Sequence, residues 1–576
     1  MVEGTRLESG QTLIASREFE SLPLRHARKE RARRLAPWRR LTLALAAAAL
    51  AIARPAAAQS GLHAWTHPDE LRLYVAASPH TLNPILTTNQ EDIYLGSLAF
   101  DLLVTADARG NLLPDLALEV PTLHNGGVSR DGLTITYKLR RNVRWHDGAP
   151  FTSGDVAFTY RTIMDPRSNI ESRQGYDRIA RIETPDPYTV RFRLKEKFAP
   201  FVRTIFSEGP NVYRIVPEHL LARERDINTA AFNAHPVGTG PYAFSRWIRG
   251  DRIEYMANPS YFGGKPHIAR VVVREIPDQN TVGIEVRQHG LDFVRVDSAT
   301  FAALRGLPDY TALLGPQNAF VSWVFNTTHP PLDDVRVRRA IVKLIDRPTL
   351  VRKNTYGTGI PALADIPPLF WTRRAPGDPN AYDVGAAKRL LDAAGWRVGA
   401  GGVRAKDGKA LRLQLAEIAG SPTARSEDVQ IQAALSEGGV AIDIKTFAAP
   451  QYFAPASQGG IVKGGDFDIA AFSWLSGIDL DNSELYTCGQ RAPAGYNLAR
   501  YCSHEMDDAQ RAALATYDDR ERQALYARIE SLALRDVPAL FAYYPQSRTI
   551  QNPDLHRPEG TFVEAWWDVK DWRFGS

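Results

Sequence analysis

Cysteine is almost missing from this chain. Its 576 residues include two, Cys488 and Cys502, too few for the four-ligand thiolate sites that staple small domains around zinc. Neither follows an apolar leader, so a lipid-anchored cysteine at a cleavage point is excluded as well. An even pair fourteen residues apart suits a disulfide in an oxidising compartment.

Long hydrophobic runs are scarce too. The apolar stretch that stands out, residues 41–52 (LTLALAAAALAI), has twelve residues, whereas a membrane-spanning helix needs about 20. It fits the core of a secretory signal peptide. Arg31, Arg33, Arg34, Arg39 and Arg40 supply the basic flank, and Ala56-Ala57-Ala58 before Gln59 supplies small residues for cleavage after Ala58. Thr42 and Leu43 after the Arg39-Arg40 pair do not suit a twin-arginine signal, so the general secretory route is expected. No second span follows, so the mature chain is expected to be exported and soluble in the periplasm of a Gram-negative bacterium.

The leader also explains a misleading charge. The whole chain carries +5 and a pI near 9.0, which alone would suggest a nucleic-acid partner. Residues 1–58, however, hold eleven Lys and Arg against five Asp and Glu, so the remainder is near −1. No nucleic acid is expected.

Catalytic and cofactor motifs are missing as well. A phosphate-cradling loop needs Gly-Lys followed by Ser or Thr, but Gly408-Lys409 is followed by Ala410, and Val403 stands at the first glycine position. His504-Glu505 reaches only Asp508 where a zinc helix needs a second histidine. His63 and His67 are four apart beside Pro68, and a disordered tail is the expectation there. Asp333-Asp334 and Asp518-Asp519 read as loop charges and helix caps rather than a glycosidase pair. The expectation is no enzyme, no cofactor and no metal.

What is present is a mixed α/β pattern over the 518 residues that follow Ala58, enough for two or three lobes. Residues 71–76 and 133–139 read as strands, the second by period-two alternation. Residues 383–391 read as a helix capped by Asp383 and stopped by Gly395. Strand 411–415, a helix around 427–435 and strand 440–447 follow, then a helix at 519–536 with Leu525, Ile529 and Leu532 on one face and Pro538 beyond its end. Asp131-Gly132 and Asp147-Gly148 read as turns, Trp145 as core, and Gly238 and Gly240 as positions needing dihedrals open to glycine.

A family resemblance rests on many blocks in one order. They are Leu82-Asn83-Pro84, Asp101-Leu102-Leu103, Leu113-Pro114-Asp115-Leu116-Ala117, and Leu139-Arg140-Arg141-Asn142-Val143-Arg144-Trp145-His146-Asp147-Gly148. Pro236-Val237-Gly238-Thr239-Gly240-Pro241-Tyr242, Phe325-Asn326-Thr327 and Val335-Arg336-Val337-Arg338-Arg339-Ala340 continue the series. From about 71 to 572 the chain resembles extracellular solute-binding protein family 5, the dipeptide and oligopeptide binders.

The resemblance implies a periplasmic binding protein type II-like clamshell, α/β, with two main lobes plus an inserted third domain. Domain I would comprise 59–97, 235–325 and 543–576, domain II 98–234, and domain III 326–542, with hinge segments near 321–326 and 541–547. It implies a monomer that delivers a peptide or peptide-like solute to an inner-membrane ABC permease with its own ATPase subunits. The expected ligand-binding residues are Thr88, Asn89, Asn326, Trp474 and Asp479. In peptide binders of the family an aspartate three residues after the motif tryptophan pairs with the ligand's α-ammonium group. Here Gly477 fills that position after Trp474, with Asp479 two residues later. Either Asp479 takes over the amine, or it matches a later loop aspartate and the amine anchor is missing. The second alternative admits a blocked peptide, an opine, a glycan fragment, glutathione or a nickel chelate as cargo. A periplasmic chaperone or sensor-partner role on the same fold is the remaining alternative.

Overall fold

The computed structural model describes residues 61–87, 90–209, 211–367, 377–558 and 566–575. The leader with its expected cleavage point, and the expected ligand residues Thr88 and Asn89, lie outside them. Among the described residues no helix is long and apolar enough to cross a membrane.

Two lobes are built around different sheets. In the first, Glu70–Val75 pairs in parallel with Arg270–Glu275, and Arg252–Ala257 and Tyr242–Ile248 extend the sheet antiparallel. Beside it, Gln546–Gln551 lies between Phe293–Arg295 and Thr311–Pro316. The inserted part contributes its own antiparallel sheet of Thr134–Lys138, Thr189–Leu194 and Ile179–Asp186. It shares one core with the first lobe, in which Trp145, Tyr137 and Phe192 join Leu71, Leu73 and Val273.

The second lobe is a six-stranded sheet in the order Ile360–Pro361, Ala539–Tyr544, Ala319–Phe325, Ile469–Leu475, Arg412–Ile418, Ala441–Phe447. Its strand Ala319–Phe325 reads AFVSWVF, almost continuously apolar, because both faces are covered. Trp323 and Phe325 enter one core, while Phe320 and Val324 enter the other. Helix Pro422–Glu437 connects two parallel strands of this sheet.

Local chemistry sets the ends of the helices. Asp383 caps Val384–Ala393 by accepting from Ala386 N at 2.8 Å, and Gly395 takes φ +91° just beyond. Asp518 accepts from Glu521 N at 2.8 Å to cap Asp519–Asp536, and Asp334 accepts from Arg336 N at 2.8 Å to cap Val335–Lys343. Both acidic pairs thus supply caps.

Three expectations need correction. Gly238 and Gly240 do not adopt left-handed dihedrals; they are required because a Cβ on Gly238 would sit 1.7 Å from the Ala99 carbonyl oxygen and one on Gly240 2.5 Å from its carbon. The segment around His63 is docked: His63 N donates to Asp554 at 2.7 Å, and Trp65 stacks on His289 and Tyr310. The first crossing between the two sheets also lies earlier than 321–326. Residues 319–325 are paired along their whole length with 469–475, so the chain leaves the first lobe at Gln317-Asn318 and returns at Pro545.

Candidate functional site

The lobes meet around the end of strand Ile469–Leu475. Leu475 and Ser476 face Gln90, Ile93 and Tyr94 of helix Gln90–Ala99 across a narrow gap, and Ile478 N donates to the Glu208 carbonyl at 3.0 Å. Asn318, wholly buried where the chain crosses between lobes, donates its amide to the carbonyls of Ser476 and Gly477. Gly477 is therefore fixed over the crossing point.

Trp474, half-buried, sits one residue before this contact. Its ring lies 5.4 Å from Tyr496 and 5.7 Å from Phe472. Tyr496 belongs to the loop closed by the disulfide between Cys488 and Cys502, and the Lys463 ammonium lies 3.5 Å from its ring centre. Sequence reading missed Tyr496 and Lys463. A tyrosine inside a bridged loop is the one signal that could have pointed to the first.

Two expected ligand residues are committed elsewhere. Asn326 is wholly buried; its amide donates to the Gly465 and Phe467 carbonyls at 3.2 and 3.3 Å and accepts from Thr328 Oγ1 at 2.7 Å. It braces the turn leading into strand Ile469–Leu475 rather than facing solute. Asp479 is buried and gripped by both terminal nitrogens of Arg522, at 2.7 and 3.0 Å. Burial alone would raise its pKa, but Arg522 outweighs that and holds the carboxyl below the usual range. A carboxylate so matched has no charge left for a ligand amine.

A second space opens on the first lobe, a cavity of about 200 Å³. Its wall is formed by the carboxyl end of strand Glu70–Val75, the start of helix Gln90–Ala99 and the ends of strands Phe293–Arg295 and Gln546–Gln551. Carboxyl ends of parallel strands are where open α/β sheets take their ligands. Gln317 and Gln546, one from each crossing, line it as well.

Residues 111–495 match the bacterial extracellular solute-binding proteins, family 5. The chain belongs to that family. Among its relatives, protein XP55 of Streptomyces lividans is 31% identical over 470 residues, covering 80% of this chain and 81% of that one. The fold is that of the oligopeptide-binding protein AppA of Bacillus subtilis, solved with a nonapeptide, at TM-score 0.76, 22% identity and coverage of 88% and 100%. NikZ of Campylobacter jejuni, solved with Ni(L-His), matches at TM-score 0.76, 24% identity and the same coverage. Family 5 is a family of solute-binding proteins. Among the described residues no group of three His, Cys, Asp or Glu side chains could hold a metal ion.

Proposed function

We propose that this chain is the periplasmic solute-binding component of an ABC importer, exported with its leader removed near Ala58, and that it carries a peptide-like cargo as a monomer to an inner-membrane permease and its ATPase subunits. The supporting observation is the meeting of the lobes at residues 475–478, beside Trp474, with a cavity at the crossing segments. Solute that touches both lobes stabilises their closed arrangement, and a permease that docks on that form senses occupancy. In this reading the lobes follow the divisions 59–97, 235–325 and 543–576 for the first, 98–234 for the insertion, and 326–542 for the second, with the first crossing moved to Gln317-Asn318.

Peptide cargo is supported by AppA and by the di/tripeptide-binding protein 2 of Pseudomonas aeruginosa, 28% identical to this chain. Gly477 favours a second reading, a cargo without a free α-amine. Structures of this fold include AgaA of Agrobacterium with agropinic acid as well as NikZ with its nickel chelate. Deletion of the gene should abolish uptake of the cargo, and mass spectrometry of the natively exported protein should find it bound. Unchanged uptake across peptides, opines and chelates would exclude import and leave the chaperone or sensor-partner role.

A further inference from the structure

Arg295 and Arg548 stand on adjacent strands of the three-stranded sheet and both line the 200 Å³ cavity. Val296 N donates to the Arg548 carbonyl at 3.0 Å, which ties the two strand ends together at the cavity wall. Among the described residues neither guanidinium has a carboxylate within 4 Å. Each makes one side-chain hydrogen bond, Arg295 to the Tyr94 hydroxyl and Arg548 Nε to the Val296 carbonyl at 3.2 Å. A guanidinium carries five N–H donors, so most of both forks is uncommitted. A third arginine, Arg557, stacks over Phe293 at 5.0 Å and adds its charge nearby.

Two carboxylates share the wall, Glu91 and Asp297, and both are engaged. Glu91 accepts from Ala77 N at 3.0 Å, and Asp297 caps helix Ser298–Leu304 by accepting from Thr300 N at 2.7 Å. Burial above all, and the neighbouring Arg295, disfavour the charge on Arg548, and Tyr543 and the Asp297 carboxylate offset this only in part. A side chain in that position cannot relieve the repulsion by losing its proton, since arginine stays charged at every physiological pH. An incoming anion can. Tyr94, Phe293 and Trp566 complete the wall with apolar surface, which strengthens any charge pairing made there.

We propose that this cavity is an acid-binding subsite in which Arg295 and Arg548 grip a carboxylate of the cargo, so that the solute is anchored by its acid group on the first lobe and not by an amine at residue 477. The inference rests on the solute-binding reading and deepens it by naming the chemistry recognised.

The test is calorimetric titration of the exported protein, stripped of solute by denaturation and refolding, with N-acetyl-Ala-Glu, with its uncharged counterpart N-acetyl-Ala-Gln amide, and with inorganic phosphate. The acid should bind at least roughly tenfold more tightly than the amide. R295Q/R548Q should erase that preference, and R295K/R548K, which keeps charge but loses the fork, should retain part of it. Phosphate binding that depends on the same two arginines, without peptide-acid binding, would keep the anion site and identify its occupant as a free oxyanion. Equal binding of acid and amide, a preference that survives R295Q/R548Q, or no binding of any of the three probes would overturn the subsite. Each of those results leaves the import reading standing, because that reading is judged by uptake after deletion.

Discussion

Arg522, buried in the second lobe, and Arg548, half-buried in the first, have opposite fates. Arg522 closes a two-point pair with Asp479 and is finished as a chemical group, while Arg548 keeps most of its donors and has a second arginine for company. The contrast teaches that a buried charge near a cleft says little until its partner is known. The residue that stood out by sequence position, Asp479, is structural, and the groups with unspent binding capacity carried no motif.

The largest effect expected is on the closed pair. Asp479→Asn leaves Arg522 buried without its counter-ion and should cost about 3–5 kcal/mol of stability, read from the shift in denaturant midpoint, while Arg548→Gln should leave stability nearly unchanged or raise it. Equal losses for the two would erase the distinction. Replacing Cys488 and Cys502 by serine should cost up to ~3 kcal/mol from loop entropy, and should loosen Tyr496 against Trp474, visible as a changed tryptophan emission.

Carboxylates extend the comparison. Glu427 and Asp428 lie buried against the six-stranded sheet, and among the described residues neither has a cation within 4 Å; burial is the main cause by which each is pushed up to about 7, with Arg425 opposing it weakly at Asp428. Trp323 Nε1 donates to Asp428 at 2.6 Å and only partly opposes this. An acid can answer isolation by taking a proton, which a guanidinium cannot. Because their folded pKa values exceed the unfolded ones, the stability they contribute is complete below about pH 4 and is lost as pH rises through about 7. Glu427→Gln should therefore stabilise the protein by about 1–3 kcal/mol at pH 8 and hardly at all at pH 4; a constant effect across that range would refute the assignment. The smallest effect is at the rim, where Trp474→Ala should weaken retention of the co-purifying solute by roughly tenfold with little change in melting temperature. A large fall in melting temperature with solute retained would make Trp474 a packing residue.

Much of the fold was legible because it is local chemistry. The Asp383 cap, the Gly395 stop and the apolar face of Asp519–Asp536 each lie within a few residues of what they control. Gly238 and Gly240 were legible as glycines, but their reason was not, since Ala99 approaches them from far along the chain. The first crossing was misplaced for a similar cause: Val321 to Phe325 are held mid-sheet by partners at 469–473 and 539–543. Arg295 and Arg548 are two of 70 basic residues, more than 250 positions apart, and only the pairing of their strands makes them a pair.

Gln317 and Gln546 place the acid seat against both crossing segments, which gives it a mechanical meaning. When two bodies turn about a pair of linkers, points beside the axis travel along short arcs, while those at the mouth sweep long ones. A group seated between Arg295 and Arg548 has almost no lever arm. In the proposed clamshell it would keep the same neighbours with the jaws open or shut, so that cargo would dock there first and the ring of Trp474 would meet it as the jaws turn inward.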